Sequence, residues 1–275
     1  MKKVKLIGMD LDGTLLTTKK ELTAYTREVL SRAVKQGIIV MPATGRPLRG
    51  ITDDLLEFSG FRYAVTANGG RVLNIRTGET LFEELVPAET AGKVLEILGH
   101  YDTLREIYFD GVGYAQEDAL QNISRYLEEA PMMEYIMRTR IAVPDIWAKF
   151  EEENRAVDKV QGLFVSLEER NMAIHELREV SGIEITGALK KNIEVNAAGV
   201  NKGRALLRLG ELLGIRREEI MAFGDGANDL KMIKEVGVGV AMENAKDELK
   251  EAADYIAGSN DKDGVARFIE TYVLS

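Results

Sequence analysis

A Rossmann-like α/β core, built on a doubly wound parallel sheet and interrupted by an inserted α+β domain, is the fold class this sequence predicts. Three observations predict it. Short apolar runs alternate with amphipathic helical segments from residue 4 to residue 66, and again after residue 200, which is the rhythm of a parallel sheet. Between about residues 87 and 190 the rhythm changes to hairpins and helices, the mark of a separate antiparallel unit. Polar motifs stand at the ends of the apolar runs, where an open α/β sheet gathers its chemistry.

The elements follow in order. Val4, Leu6, Ile7 and Met9 make a short buried-strand pattern. Helical periodicity over 23–36 leads to a strand at 38–41, and a second helix over 47–58 opens on Pro47, a residue tolerated in a first turn. A strand at 63–66 precedes a hairpin of residues 71–75 and 80–85, turning at Thr77 and Gly78, and Pro87 marks the exit. The middle stretch then reads as helix 89–98, a hairpin around Asp110 and Gly111, helices 118–129 and 144–153, strand 159–166, helix 168–180 and two more strands. Hairpins favour an antiparallel sheet with its helices on one side. Helix 202–213, strand 220–223, helix 227–234 and strand 238–241 restore the α/β alternation. The expected boundaries are 1–85 for the first part of the core, 86–190 for the insertion and 191–275 for the rest of the core.

Composition narrows the chemistry. With 275 residues, 45% of them hydrophobic, the chain buries a substantial core. A formal net charge of -9 argues against nucleic acid as a partner, because phosphate neutralisation needs clustered Lys and Arg. No apolar run approaches a membrane span or a signal peptide, and the first one is broken at Asp10. There is no cysteine, which removes thiolate catalysis, thiolate metal sites and disulfides and agrees with a cytoplasmic protein. The two histidines, His100 and His175, fall in helix-like segments among Leu and Ile and read as ordinary helical residues. Carboxylates must then carry any acid, base or nucleophile role.

Four segments supply them with partners. DLDGTL at 10–15 delivers Asp10 and Asp12 from the first strand, with Gly13 for a sharp exit. Thr44, Gly45 and Arg46 follow the second strand; a helix cap for Pro47 onward is the plainer account of Thr44. Lys202 stands just after Asn201, which looks like an N-cap, so its cation faces the positive end of a helix dipole. A residue placed against local preference is a candidate for function. GDGANDLKM at 224–232 puts Asp225 at a strand end and Asn228 and Asp229 in the next helical turn. A dinucleotide fingerprint fails here, since Asp229 occupies the third glycine position, and the chain has no GxxxxGK[ST]. The two acidic strand ends can converge only if strands distant in sequence are sheet neighbours. Such an oxygen-rich cluster suits Mg²⁺ with water and a substrate phosphate, and Lys202, Arg46, Thr44 and Asn228 offer donors to that phosphate.

These motifs resemble those of the haloacid dehalogenase superfamily: DLDGTL its first, ATGR with Thr44 its second, VNKG with Lys202 its third, and GDGAND with Asp225 and Asp229 its fourth. The large insertion between the second and third, preceded by ANGG at 67–70, is similar to the Cof-type subgroup with a class IIB cap. One departure is IEVNAAGVNKG at 193–203, which lacks the proline members often carry near Asn196. The resemblance implies Mg²⁺-dependent hydrolysis of small phosphate monoesters, sugar phosphates or related metabolites. Asp10 is then the nucleophile that forms an aspartyl-phosphate, and Asp12 the acid and base. The metal would be held by Asp10, the Asp12 carbonyl and Asp225, with Asp229 ligating or orienting; Thr44, Gly45, Arg46, Lys202 and Asn228 would contact phosphate. Asp12 speaks against the halide-removing members. Phosphomutases share the two-aspartate motif and remain the catalytic rival, and a non-catalytic signalling module phosphorylated on Asp is the alternative of another class. The expected partner is a small phosphorylated metabolite, without nucleic acid or membrane, and the expected state a monomer or small homo-oligomer.

Overall fold

The computed structural model describes residues 3–187 and 189–275. They form two compact units: Met1–Gly45, Thr52–Glu83 and Asn201–Ser275 make the first, Arg46–Ile51 and Glu84–Val200 the second. The first is built on a five-stranded parallel sheet in the order Tyr255–Ala257, Val238–Met242, Ile220–Gly224, Leu6–Met9, Ile39–Pro42. Parallel bridges Val40–Phe61 and Ala43–Val65 continue it to Tyr63–Thr66, where an antiparallel meander with Arg71–Asn74 and Glu79–Glu83 begins. Leu6–Met9 is buried on both faces, so its sequence reads as a continuous apolar run rather than an alternation.

Register explains the convergence. Met9 stands opposite Phe223 on one side and Pro42 on the other. The residues just past these three strand ends are therefore neighbours, although 215 positions separate Asp10 from Asp225 in the chain. Helix Lys202–Leu212 buries Lys202, Ala205, Leu206 and Leu209 along one stripe at the spacing of a core-facing helix. Asn201 caps it, its side chain accepting from the Arg204 amide at 2.8 Å.

The second unit holds a six-stranded sheet in the order Ile183–Thr186, Asn192–Ala197, Lys159–Phe164, Thr103–Phe109, Val112–Gln116, Arg140–Val143. All its pairs are antiparallel except the last. One face packs Ile107, Phe109, Val160 and Val195 against the helices Ala88–Gly99, Ile146–Glu153 and Leu167–Leu177. The other face is covered too, Leu104 and Leu163 meeting Leu120, Ile123 and Ile136, so the helices are not confined to one side. Among the described residues, no helix is long and apolar enough to cross a membrane.

Other expectations change as well. The inserted unit ends at Val200 rather than residue 190, because Asn192–Ala197 is hydrogen-bonded between two strands of the second sheet. The helix expected over 47–58 is a 3₁₀ turn at Leu48–Gly50 and a single α turn at Asp53–Leu56. Ile51 and Thr52 lie extended between them, as β-branched residues after a glycine readily do. The helix expected over 118–129 is only Glu117–Gln121 plus a 3₁₀ turn at Ile123–Arg125. A further helix, Ala130–Thr139, starts around Pro131 in its first turn, so that proline opens a helix instead of ending one.

One backbone approach ties the sheet to the helix that carries Lys202. Ala67, Asn68 and Gly69 have φ of 49°, 58° and 110°. A Cβ on Gly69 would lie 2.4 Å from the Asn201 carbonyl oxygen. Gly69→Ala is therefore expected to destabilise the protein by about 2–3 kcal/mol, combining strain and overpacking, read as a lower urea midpoint at unchanged slope. A midpoint equal to wild type would contradict this contact.

Candidate active site

The site grows from the ends of the central strands. The Asp10 amide donates to the Phe223 carbonyl at 3.0 Å, extending the sheet by one residue before the chain turns. Gly13 makes that turn with φ 84°, and a Cβ there would sit 2.4 Å from Asp225 Oδ2, so glycine serves both the conformation and the close approach. Thr14 donates its hydroxyl to Asp225 Oδ1 at 2.7 Å. Asn244 Nδ2 holds the Gly13 carbonyl at 2.8 Å.

Lys202 occupies the centre. It is fully buried, with Nζ 2.6 Å from Asp10 Oδ1 and 2.7 Å from Asp229 Oδ1. These two carboxylates resolve the conflict with the helix dipole, since an ammonium so placed needs close anions more than it suffers from a half-charge. The other oxygen of Asp229 accepts from the amides of Asp225 and Gly226 at 3.1 and 2.9 Å. Asp229 thus fixes both the cation and the loop that presents Asp225.

Three carboxylates face one ammonium. Asp10, Asp225 and Asp229 bring oxygens within 4.8 Å of one another. Burial pushes the Asp10 carboxyl up to about 8, against the pull of Lys202 and with the help of the neighbouring aspartates. Burial and the charge of Asp229 raise Asp225 to about 6, with the Thr14 hydroxyl and Lys202 acting the other way. Burial alone would lower Lys202, but Asp10 and Asp229 outweigh it and hold the ammonium above its ordinary range. The cluster is short of positive charge.

The remaining expected residues divide. Thr44 is buried past the end of Ile39–Pro42, its amide donating to Val65 O at 2.9 Å and its carbonyl accepting from Asn68 N at 3.1 Å. Gly45 follows it, half-buried. Asn228 Nδ2 donates to Asn68 Oδ1 at 3.2 Å, so the ANGG segment enters the site through Asn68. Asp12 is turned to Lys20, Nζ to Oδ1 2.7 Å, and its carboxylate is not part of the three-carboxylate group. Arg46 packs within the second unit, donating to Gly50 O at 2.9 Å and lying 4.7 Å from the centre of the Tyr135 ring. Both histidines belong to the second unit: His100 ends the helix Ala88–Gly99 and contacts Glu176 at 3.1 Å, and His175 lies in Leu167–Leu177. Thr14, Lys20, Asn68 and Asn244 were not singled out by sequence. Thr14 and Asn68 stand inside motifs that were, whereas nothing local marks Lys20 or Asn244.

A family model of haloacid dehalogenase-like hydrolases matches residues 7–269. The chain is 34% identical to the 5-amino-6-(5-phospho-D-ribitylamino)uracil phosphatase YcsE of Bacillus subtilis over 98% of this chain and 96% of that protein. It is 28% identical to the pyridoxal phosphate phosphatase YbhA of Escherichia coli, over 98% and 99% of the two chains. Its fold is similar to that of a haloacid dehalogenase-like hydrolase from B. subtilis, with a TM-score of 0.87, 25% identity, and 98% and 100% coverage. A solved subclass IIB sugar phosphatase of the superfamily shares the fold at a TM-score of 0.81 and 24% identity, covering 99% of this chain and all of that one. With that model spanning residues 7–269 and a phosphatase relative 34% identical over nearly its whole length, the chain belongs to the haloacid dehalogenase-like hydrolases, among their phosphatases.

Proposed function

We propose that this phosphatase uses Mg²⁺ to hydrolyse small phosphate monoesters, sugar phosphates or related metabolites, through a phosphoryl group carried on Asp10. The observation that carries the reading is the buried Lys202 bridging Asp10 and Asp229 beside Asp225. The small-metabolite substrate is supported by the relatives, whose names specify a phosphorylated ribitylaminouracil and pyridoxal phosphate.

The donor set fits a hard divalent cation. All its side-chain ligands would be carboxylate oxygens, and the upward push on Asp10 and Asp225 marks a cluster that one ammonium does not neutralise. Asp10, Asp225 and the Asp12 carbonyl would hold Mg²⁺. Asp229, with one oxygen on Lys202 and the other on two amides, fits an orienting role better than a ligating one. When bound, the ion supplies positive charge that offsets the repulsion between an attacking carboxylate and a phosphate.

The chain's own groups account for the rest. An Asp10 oxygen forms a bond to phosphorus as the ester P–O bond breaks, and Asp12 gives its proton to the leaving oxygen. Asp12 then takes a proton from the water that attacks phosphorus, and Asp10 is released with inorganic phosphate. Lys202 and Thr44 hold phosphate oxygens, with Gly45 and Asn228 at the rim of that set. Arg46, whose guanidinium donates to Gly50 O and lies over Tyr135, would at most support that set.

Steady-state release of inorganic phosphate from an aryl phosphate tests the assignment. Asp10→Asn is expected to lower kcat by roughly 10³-fold or more, while Asp225→Asn raises the Mg²⁺ concentration for half-activity by about 10–100-fold. An isomeric ester in place of free phosphate would favour the phosphomutase rival, and an Asp10→Asn enzyme with full activity would refute the mechanism.

Stability should respond to pH and metal together. Burial pushes the Asp10 carboxyl up to about 8 from an ordinary 3.8, so between these values the folded state holds the extra proton. Metal-free stability then falls as pH rises through that window. A cation held by Asp10 would compete with that proton, so the gain in melting temperature on adding Mg²⁺ to the EDTA-treated protein is expected to be larger at pH 8 than at pH 5.5. Equal gains at both pH values in scanning fluorimetry would contradict this.

A further inference from the structure

We propose that Lys20 is a positioning residue for Asp12, holding the carboxylate that serves as acid and base; the inference rests on the reading of Asp12 given above. Lys20 Nζ lies 2.7 Å from Asp12 Oδ1, with the two side chains 38% and 31% exposed. An ion pair that exposed contributes little to stability. Yet the backbone of Lys20 is left-handed, at φ 65°, a conformation that disfavours a long side chain with no local hydrogen bond to offer. Among the described residues, the other non-glycine positions with positive φ are Asn68, Asn154, Asp110 and Asp263, which adopt it readily, and Ala67, next to Asn68. Lys20 keeps a strained conformation without a matching gain in stability, and its ammonium goes to the proposed acid and base.

The turn that presents it is built. The Lys20 amide donates to Thr17 O at 2.8 Å and the Thr17 amide to Glu21 O at 3.1 Å. Asp261 grips the turn from the far end of the chain, accepting from the Thr18 amide and hydroxyl at 2.7 Å each. Asn260 Nδ2 holds Leu16 O at 2.9 Å. These bonds anchor residues 16–21 through backbone atoms and Thr18, and none of them requires a lysine at position 20. The side chain therefore has no structural duty in the turn, and among the described residues its ammonium pairs with Asp12. Lys19, one residue earlier and of the same type, is on the exposed side.

A carboxylic acid in the right place matters most when the leaving oxygen is a poor one, because a phenolate departs with little help whereas an alkoxide needs the proton. The experiment compares kcat/KM, which reports the step that expels the alcohol, for an aryl phosphate and for glycerol phosphate, in wild type, K20M, K20R, K20N and D12N. K20M is expected to lose roughly tenfold more on glycerol phosphate than on the aryl phosphate, and K20R to recover most of that difference. K20N is expected to match K20M in activity while melting at or above the wild-type temperature, since Asn suits left-handed backbone. A merely structural lysine would lower stability and both substrates alike, and that result overturns the proposal. Equal losses in K20M beside a steep leaving-group dependence in D12N overturn Lys20 alone. A flat D12N overturns the acid role of Asp12 and the proposal with it.

Discussion

The site depends on one buried cation. Lys202 has no solvent to ionise into, and an ammonium removed from water is tolerated only when anions replace its hydration. Asp10 and Asp229 do this at 2.6 and 2.7 Å, and the requirement propagates outward. Asp10 has to leave the sheet where the helix Lys202–Leu212 begins, Asp229 has to return from the strand Ile220–Gly224 to the same point, and the two strands have to be adjacent. Moving any one element by a residue would strand a charge.

The arrangement is strongly held on the anionic side and deficient in positive charge. Thr14 donates to Asp225, two amides donate to Asp229, and Lys202 serves two carboxylates. Neutral donors stabilise a carboxylate without neutralising it. The surplus therefore falls on Asp10 and Asp225, the two carboxyls that burial pushes up. Both oxygens of Asp229 are engaged, and its two contacts, one steadying the lysine and one shaping the Asp225 loop, are two consequences of one side chain placed in the first turn after the strand.

Much of this was legible in the sequence, for physical reasons that differ by residue. Asp10 and Asp225 announced themselves because a strand buried on both faces must be apolar throughout, which makes a carboxylate at its end conspicuous. Lys202 was visible because it contradicts the helix dipole behind a good N-cap. Pro47 misled about the helix, since it looks like a helix start whereas the turn it opens ends at Gly50. Lys20 was hidden. In TTKKE two lysines look alike, and what separates them is a backbone angle fixed by Asp261, 241 positions away. The end of the second unit was misplaced for a similar reason: NIEVNA at 192–197 reads as a strand in either unit, and its pairing with Lys159–Phe164 assigns it.

Strain in the first unit is distributed unevenly. Its parallel strands are regular, while left-handed backbone at Lys20, Ala67 and Asn68 lies in the loops that leave them. Such conformations persist only where surroundings over-determine them. Here the surroundings are specific: Asn228 bonds Asn68, the Asn68 amide is held by Thr44 O, and Asp261 bonds the turn before Lys20. Asn68 and the turn that carries Lys20 are thus held by partners from other segments of the chain, so these loops are constrained by long-range neighbours. A loop fixed in this way keeps its polar groups at set distances, which is what a site that positions a small substrate requires. The regular sheet provides the rigidity, and the unusual backbone angles at its edge set where the chemistry stands.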